Sequence, residues 1–304
     1  MRARVSVVIP CYRQAHFLAE ALASVRCQTH PAHETVVVDD GSPDDVPGVV
    51  DRVPDVRCLR QDNRGLSAAR NAGLAATSGE LVVFLDADDR LLPEALEAGV
   101  DALAGRPRAA LAWGFNRPID REGRALGPIS NPYDAEEAAY TALLERNVVG
   151  PPVGVVFRRT AVVSAGGFVE GARTAEDYDL YLRLAREHTL YCHRRLVGEY
   201  RHHDANMSSD AAAMLRGVLE ALESQESYVE GDATLRRALA RGRRNAWRRY
   251  EGSRRVARIG EAVRQGRWGA AGLWSAALLA RDAPYFLSVL ASRASGRRGR
   301  AGTH

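Results

Sequence analysis

Leu81-Val82-Val83-Phe84-Leu85-Asp86-Ala87-Asp88-Asp89 is the stretch on which the reading of the fold turns. Five apolar residues run straight into three carboxylates. An apolar run of this length, bounded by polar residues, reads as a short strand buried on both faces. The pattern recurs upstream. Val5–Ile9 runs to Pro10, Glu34–Val38 runs into Asp39-Asp40-Gly41-Ser42, and Val56–Leu59 is a third short strand. Helical spacing fills the gaps: His16–Gln28 places Phe17, Leu18, Leu22 and Val25 on one face, and Gly65–Ala76 is rich in Ala. Pro93–Leu103 follows as a further helix, with Pro93 at its start. Strands alternating with helices predict βαβ units and a mostly parallel α/β sheet flanked by helices. Such sheets bind ligands beyond the carboxyl ends of their strands, which is where Pro10, Asp40 and Asp86 fall.

Further along, Leu111–Phe115 and Val153–Phe157 read as strands and Asp177–Glu187 as a helix. The Pro- and Gly-rich stretch Asn116–Asp134 reads as a loop over a cleft. From Ala211 the chain reads as a helical appendage with turns near Gly231 and Gly252. The expected organisation is therefore three parts: 1–115, 116–210 and 211–304.

The charge is divided unevenly. All 42 basic residues are Arg, as a GC-rich genome would produce. Residues 1–210 carry 24 Arg and 30 acidic residues, whereas 211–304 carry 18 Arg and 8 acidic residues. In the tail, Trp268, Leu273, Trp274 and Leu279 are interleaved with Arg264, Arg267, Arg281 and Arg293, a composition suited to an anionic membrane surface across 260–300. Packing of these helices on the rest of the chain is the competing reading, and no nucleic-acid motif is present. The four cysteines form no CxxC pair, which argues for a reducing cytoplasm and against a zinc site. No run of 18 apolar residues is present, so the expected location is cytoplasmic or peripheral at the inner face of the membrane.

Three carboxylates gathered at one strand end repel one another unless something cationic neutralises them. Mg²⁺ or Mn²⁺ on carboxylate oxygens, with a diphosphate completing the shell, is the functional reading. Capping of the next helix by Asp88 or Asp89 is the plain one. At Asp39-Asp40 an Asx-type turn accounts for one acid, and a carboxylate accepting the imide N–H of a uracil or thymine accounts for the other. Arg70, on the Ala-rich helix, is placed to counter one of these charges or a phosphate.

Four ordered segments carry a family resemblance: Val5–Tyr12, Val38–Ser42, Asn63–Gly73 and Phe84–Asp89. Together they resemble the family 2 glycosyltransferases, which have the GT-A fold, and the resemblance covers about residues 5–205. It implies that Pro10, Tyr12, Asp39, Asp40 and Arg70 hold the nucleotide part of a nucleotide sugar. It further implies that Asp86 contacts the ribose or supports a metal ligated mainly by Asp88. Gly166-Gly167-Phe168 followed by Glu176-Asp177 resembles the family's GGF turn and ED motif, which makes Asp177 the base that deprotonates an acceptor hydroxyl. Acids in a helix's first turn also stabilise its dipole. In Tyr200–Ser208, His203 aligns with a residue that helps hold metal or diphosphate, and Arg201 is placed to take a phosphate.

The function so implied is inverting transfer of a sugar from a UDP- or dTDP-sugar to a hydroxyl acceptor, in cell-surface polysaccharide or glycoconjugate assembly. A metal-dependent sugar nucleotidyltransferase and a non-catalytic nucleotide-sugar or lipid-surface binding protein are the alternatives. The first lacks its usual Gly-rich loop at Pro10-Cys11-Tyr12-Arg13. The second would have had no need to keep Asp86, Asp88 and Asp177 together.

Overall fold

The computed structural model describes residues 3–127, 129 and 137–298, which form two compact units divided between Gly242 and Arg243. The first unit opens with β1 (Val5–Cys11), α1 (Ala15–Arg26), β2 (Glu34–Asp39), α2 (Val46–Val50), β3 (Val56–Arg60), α3 (Leu66–Ala75) and β4 (Leu81–Phe84). It continues through β5 (Arg90–Leu91), α4 (Ala95–Ala104), β6 (Ala109–Ile119), β7 (Glu137–Ala138), α5 (Tyr140–Glu145), β8 (Val156–Arg158), α6 (Arg159–Ser164), α7 (Glu176–Ala185) and β9 (Thr189–Arg201). Helices α8 (Ala211–Glu223), α9 (Glu226–Val229) and α10 (Ala233–Trp247) follow, and then α11 (Ser253–Arg264) and α12 (Trp268–Arg298).

One sheet runs through the first unit in the order β3-β2-β1-β4-β8-β6-β9-β5, with β7 on β9. The parallel ladders β3/β2, β2/β1, β1/β4 and β6/β9 are the long ones. The antiparallel ladders span two or three residue pairs each. Alternation along β1 divides the core between the faces of the sheet. Val5, Val7 and Ile9 pack with Leu18 and Leu22 of α1 and Leu96 and Leu103 of α4. On the other face, Val8 joins Val36, Phe84, Trp113, Phe157 and, from α7, Tyr178, Tyr181 and Leu184. Phe84 meets Phe157 and Phe168 edge-on, the arrangement that ring quadrupoles favour.

Several expectations shift. The helix after β4 begins at Ala95, and Pro93 lies in the turn before it. Of Val153–Phe157 only the last two residues are strand, because Val155 N–H closes a turn onto the Pro152 carbonyl. Within Asn116–Asp134, residues 116–119 complete β6 and Asp120–Arg124 form a tight turn, while 128 and 130–134 lie outside the described residues. A turn does occur at Gly231. At Gly252 none does, because the helical path continues through a π-helical segment, Arg248–Gly252, into α11. The 13-residue β9 was not anticipated. It pairs with β6 across three register shifts.

Candidate functional site

Chain direction brings the ends of β1, β2 and β4 to one edge of the sheet. At β2, the Asp39 carboxylate is fully buried and accepts from Ser42 N–H (2.8 Å) and Arg60 Nη1 (3.0 Å). This is the Asx-type turn, and it uses the first acid. Gly41 sits at φ +69° in that turn, where a Cβ would come within 2.8 Å of Asn63 N. Asp40 reaches across to the loop before α3. Its Oδ1 accepts from Gln61 Nε2 (2.7 Å) and Arg64 N–H (2.9 Å), and its Oδ2 from Gly65 N–H (2.9 Å). Pro10 is buried in β1 opposite Val38. Tyr12 is exposed, with the Arg13 guanidinium over its ring at 5.2 Å.

At β4, the acids do not cap the next helix, which starts six residues beyond Asp89. Asp88 Oδ2 receives Gln14 Nε2 (2.8 Å) and meets His203 Nε2 (2.9 Å), and the His203 ring stacks on Phe17. Burial, and then the charge of Asp86, push the Asp88 carboxyl up, against the hydrogen bond from His203. Asp89 is pushed up further by burial and by Asp88. Its Oδ1 accepts from Arg201 N–H (2.8 Å), while its Oδ2 is buried without a partner.

Arg201 is a clamp rather than a free phosphate ligand. Fully buried over the Phe17 ring, it donates through Nε to the Asp88 carbonyl, Nη1 to the Arg121 carbonyl and Nη2 to Glu20. A guanidinium with all three nitrogens engaged has no bidentate face left for a phosphate, which corrects the sequence-based expectation.

Arg70 ties the β4 acids to the second half of the sheet. It is 1% exposed, donates Nη2 to Asp86 Oδ1 (2.6 Å) and Nη1 to Glu176 Oε1 (2.7 Å), and lies over the Phe168 ring. Its neighbour Asn71 clamps both the N–H and the carbonyl of Phe168. Gly167, at φ +69°, must remain small there, since a Cβ would lie 2.6 Å from Asn71 Oδ1. Two adjacent residues of α3 thus fix the GGF turn and the start of α7. Arg183 closes the turn from the far side, through the Gly167 carbonyl and Asp179.

Asp177, in the first turn of α7, is partly accessible and accepts from Tyr178 N–H (2.7 Å). Burial and the Glu176 charge push it up to about 7, against the pull of Arg70. A carboxyl tuned near neutrality suits general base work.

Arg70 therefore brings together Asp86 and Glu176-Asp177, whereas Asp88 and His203 meet separately at 2.9 Å. Among the described residues no three His, Cys, Asp or Glu side chains converge as a metal cluster. The Asp88 carboxylate, beside the His203 imidazole, is the nearest donor set, and its oxygens are of the kind that Mg²⁺ or Mn²⁺ takes, whereas the imidazole nitrogen is a softer donor. Sequence reasoning missed Gln14, which has no signal beyond its place before α1, and missed Arg201's full burial.

A βαβ half carrying acids at its strand ends, joined to a mixed half that supplies an acid at a helix start, is the GT-A glycosyltransferase architecture. Staphylococcus aureus TarS residues 1–349, solved with UDP-GlcNAc, superposes with a TM-score of 0.67 at 18% identity over 81% of this chain and 73% of that one. A mannosyltransferase from Pyrobaculum calidifontis, solved with GDP-Man and Mn²⁺, gives 0.60 at 21% identity over 94% and 82%. Residues 6–165, more than half of the chain, match Glycosyl transferase family 2, and the protein belongs to that family. Among curated relatives, the Escherichia coli chondroitin synthase is 31% identical over 60% of this chain, which spans only 26% of that protein's length. A Mycobacterium tuberculosis protein of unassigned function is 29% identical, with 71% and 72% covered.

Proposed function

We propose that the protein transfers a sugar from a nucleoside diphosphate sugar to an acceptor hydroxyl by a single displacement that inverts the anomeric centre. The observation that carries this is Arg70, a buried guanidinium bridging Asp86 of the strand-end acids and Glu176 beside the candidate base Asp177. Donor-side and acceptor-side groups are held by one side chain. Pro10, Tyr12 and the remaining lone pairs of Asp40 form the base-binding wall, with Asp39 setting the turn that carries them. Asp86 stands toward the ribose.

A divalent cation, Mg²⁺ or Mn²⁺, would be held by Asp88 and His203, with Asp86 adjacent, and would supply neutralisation of the departing diphosphate. In the reaction Asp177 accepts the acceptor hydroxyl's proton as that oxygen attacks the face opposite the leaving group. Arg70 holds Glu176 and so fixes the α7 start from which Asp177 projects. UDP and dTDP donors are favoured, as the imide N–H of their bases offers Asp40 a donor. The E. coli chondroitin synthase relative supports a role in polysaccharide or glycoconjugate assembly.

The test is a panel of UDP-, dTDP- and GDP-sugars with Mg²⁺, with Mn²⁺ and with chelator, with the product's anomeric configuration read by NMR. Transfer of a UDP- or dTDP-sugar with inversion, abolished by chelator, is expected. Retention of configuration overturns Asp177 as the base of a single displacement. Full turnover in chelator overturns the cation's role.

A further inference from the structure

The second unit carries a surface that the transfer chemistry does not use. Between Arg267 and Arg281, α12 runs thirteen residues, Trp268–Ala280, without a charge. Only Ala271 and Leu278 are buried there. Trp268 is 68% and Leu273 74% exposed, and Trp274 and Leu279 are also in solvent. A helix on a globular surface normally turns polar residues outward, and this one turns Leu, Trp, Ala and Gly outward. It is bent at Asp282 (φ −155°, ψ 77°), two residues before Pro284, so the uncharged stretch ends at a defined corner.

Cations frame this stretch. Arg264 and Arg267 precede it and Arg281 follows it, all exposed and without an ion pair among the described residues. The guanidiniums of Arg281 (5.6 Å) and Arg255 (5.7 Å) both approach the Trp247 ring, in a groove also lined by Ala277 and Ala280. Residues 243–304 hold fourteen Arg against three acidic residues.

From this pattern we infer that α12 lies along an anionic phospholipid surface, with Trp268, Leu273 and Leu279 in the acyl boundary and Arg264, Arg267 and Arg281 on headgroup phosphates. Apolar exposure with a cationic frame is the composition of an interfacial helix. No helix among the described residues is long and apolar enough to cross a membrane, so the contact is along the surface. A second copy of this chain would set like charge against like charge. A nucleic acid would match the Arg but leave Trp268 and Leu273 in water. The inference is independent of the proposed reaction.

The test is vesicle flotation and tryptophan emission with the full chain, comparing phosphatidylcholine vesicles with equal-part phosphatidylcholine–phosphatidylglycerol vesicles. Partitioning onto the anionic vesicles at least about tenfold stronger is expected, with a blue shift in emission, both weakened by added salt. Leu273→Asp and Trp268→Ser should each reduce binding several-fold with unchanged circular dichroism, and Arg281→Gln should reduce the preference for anionic lipid. Equal binding to both vesicles, or none to either, overturns the inference. So does displacement by inorganic phosphate at constant ionic strength, which would assign the Arg groove to a free anion. A dimer in solution that Leu273→Asp converts to monomer would assign the face to a second copy.

Discussion

The ends of β2 and β4 look alike in sequence, two acids in one and three in the other, and the structure treats them in opposite ways. At β2, Asp39 and Asp40 accept five hydrogen bonds between them, four from main chain and side chains of the loops that they shape and one from Arg60. At β4, Asp89 keeps a buried oxygen without a partner, and burial pushes both Asp88 and Asp89 up, helped by the charge of Asp86 at Asp88 and of Asp88 at Asp89. Carboxylates whose two oxygens both accept hydrogen bonds from surrounding loops build architecture, and Asp40 does so with acceptor capacity to spare. Carboxylates held close together without enough donors store unfavourable electrostatics that a cationic ligand can relieve, and such perturbed groups gather at functional sites. Asp177 belongs with the second kind.

The largest effect should come from testing that division at Asp177. Asp177→Asn is expected to lower kcat by about 10²–10⁴-fold, the usual contribution of a general base, with donor affinity nearly unchanged. Wild-type kcat should rise with pH through about 7, as the carboxyl ionises. Stability should run the other way. The folded-state value lies above the unfolded one, so this group's contribution is full below the ordinary carboxylate range and is lost as pH rises toward 7. Thermal melts across that window should be flatter for Asp177→Asn. A variant that keeps turnover, or that loses stability at neutral pH, would move Asp177 to the architectural class.

Next in size is Arg70→Met, which leaves Asp86 and Glu176 without their buried partner. Removing one member of a buried ion pair typically costs about 3–5 kcal/mol. Denaturant melts should show a loss of that order, accompanied by loss of activity. Arg70→Lys should recover only part of it, because an ammonium cannot span two carboxylates as the planar fork does.

Arg70 also marks where the sequence stops being legible. The βα alternation, the strand-end acids and the α7 start could be read directly, since each is a local pattern of period and punctuation. The sequence places Arg70 to counter one strand-end charge, as it does at Asp86, but its simultaneous hold on Glu176, 106 residues away, has no sign in a single sequence. β9 was missed for a related reason. His193-Arg194-Arg195 interrupts its alternation, Arg194 adopts φ +57°, and pairing with β6 survives only through register shifts. Nothing local favours that strand, and its long-range ladder alone decides it. Arg201 reads as a phosphate ligand from its place in the Tyr200–Ser208 segment, and only the fold shows its nitrogens already committed.

At the β2 strand end, Asp40→Ala should act on stability first. It strands the side-chain amide of Gln61 and the N–H groups of Arg64 and Gly65, at a cost of about 1–3 kcal/mol for the set, since loop donors regain water. A rise in donor KM should follow from the disordered start of α3. If KM rises with no change in melting temperature, Asp40 is acting on the nucleotide base alone, and the contrast between the two strand ends narrows.

The smallest effect separates side chain from backbone in that same loop. Arg64 gives Asp40 its N–H, while its guanidinium reaches out to Glu170, a pair 61% and 47% exposed. Exposed pairs of this kind contribute about 0–1 kcal/mol, because solvent screens the attraction and two long side chains lose rotamer freedom. Arg64→Gln keeps the N–H and should leave the melting temperature and donor KM within error at ordinary salt. Arg64→Pro removes the N–H, and should reproduce much of the Asp40→Ala loss even though it leaves the carboxylate in place. If Arg64→Gln proves the more damaging of the two, Asp40 is held by charge rather than by the loop's main chain, and the β2 end has been misassigned to architecture.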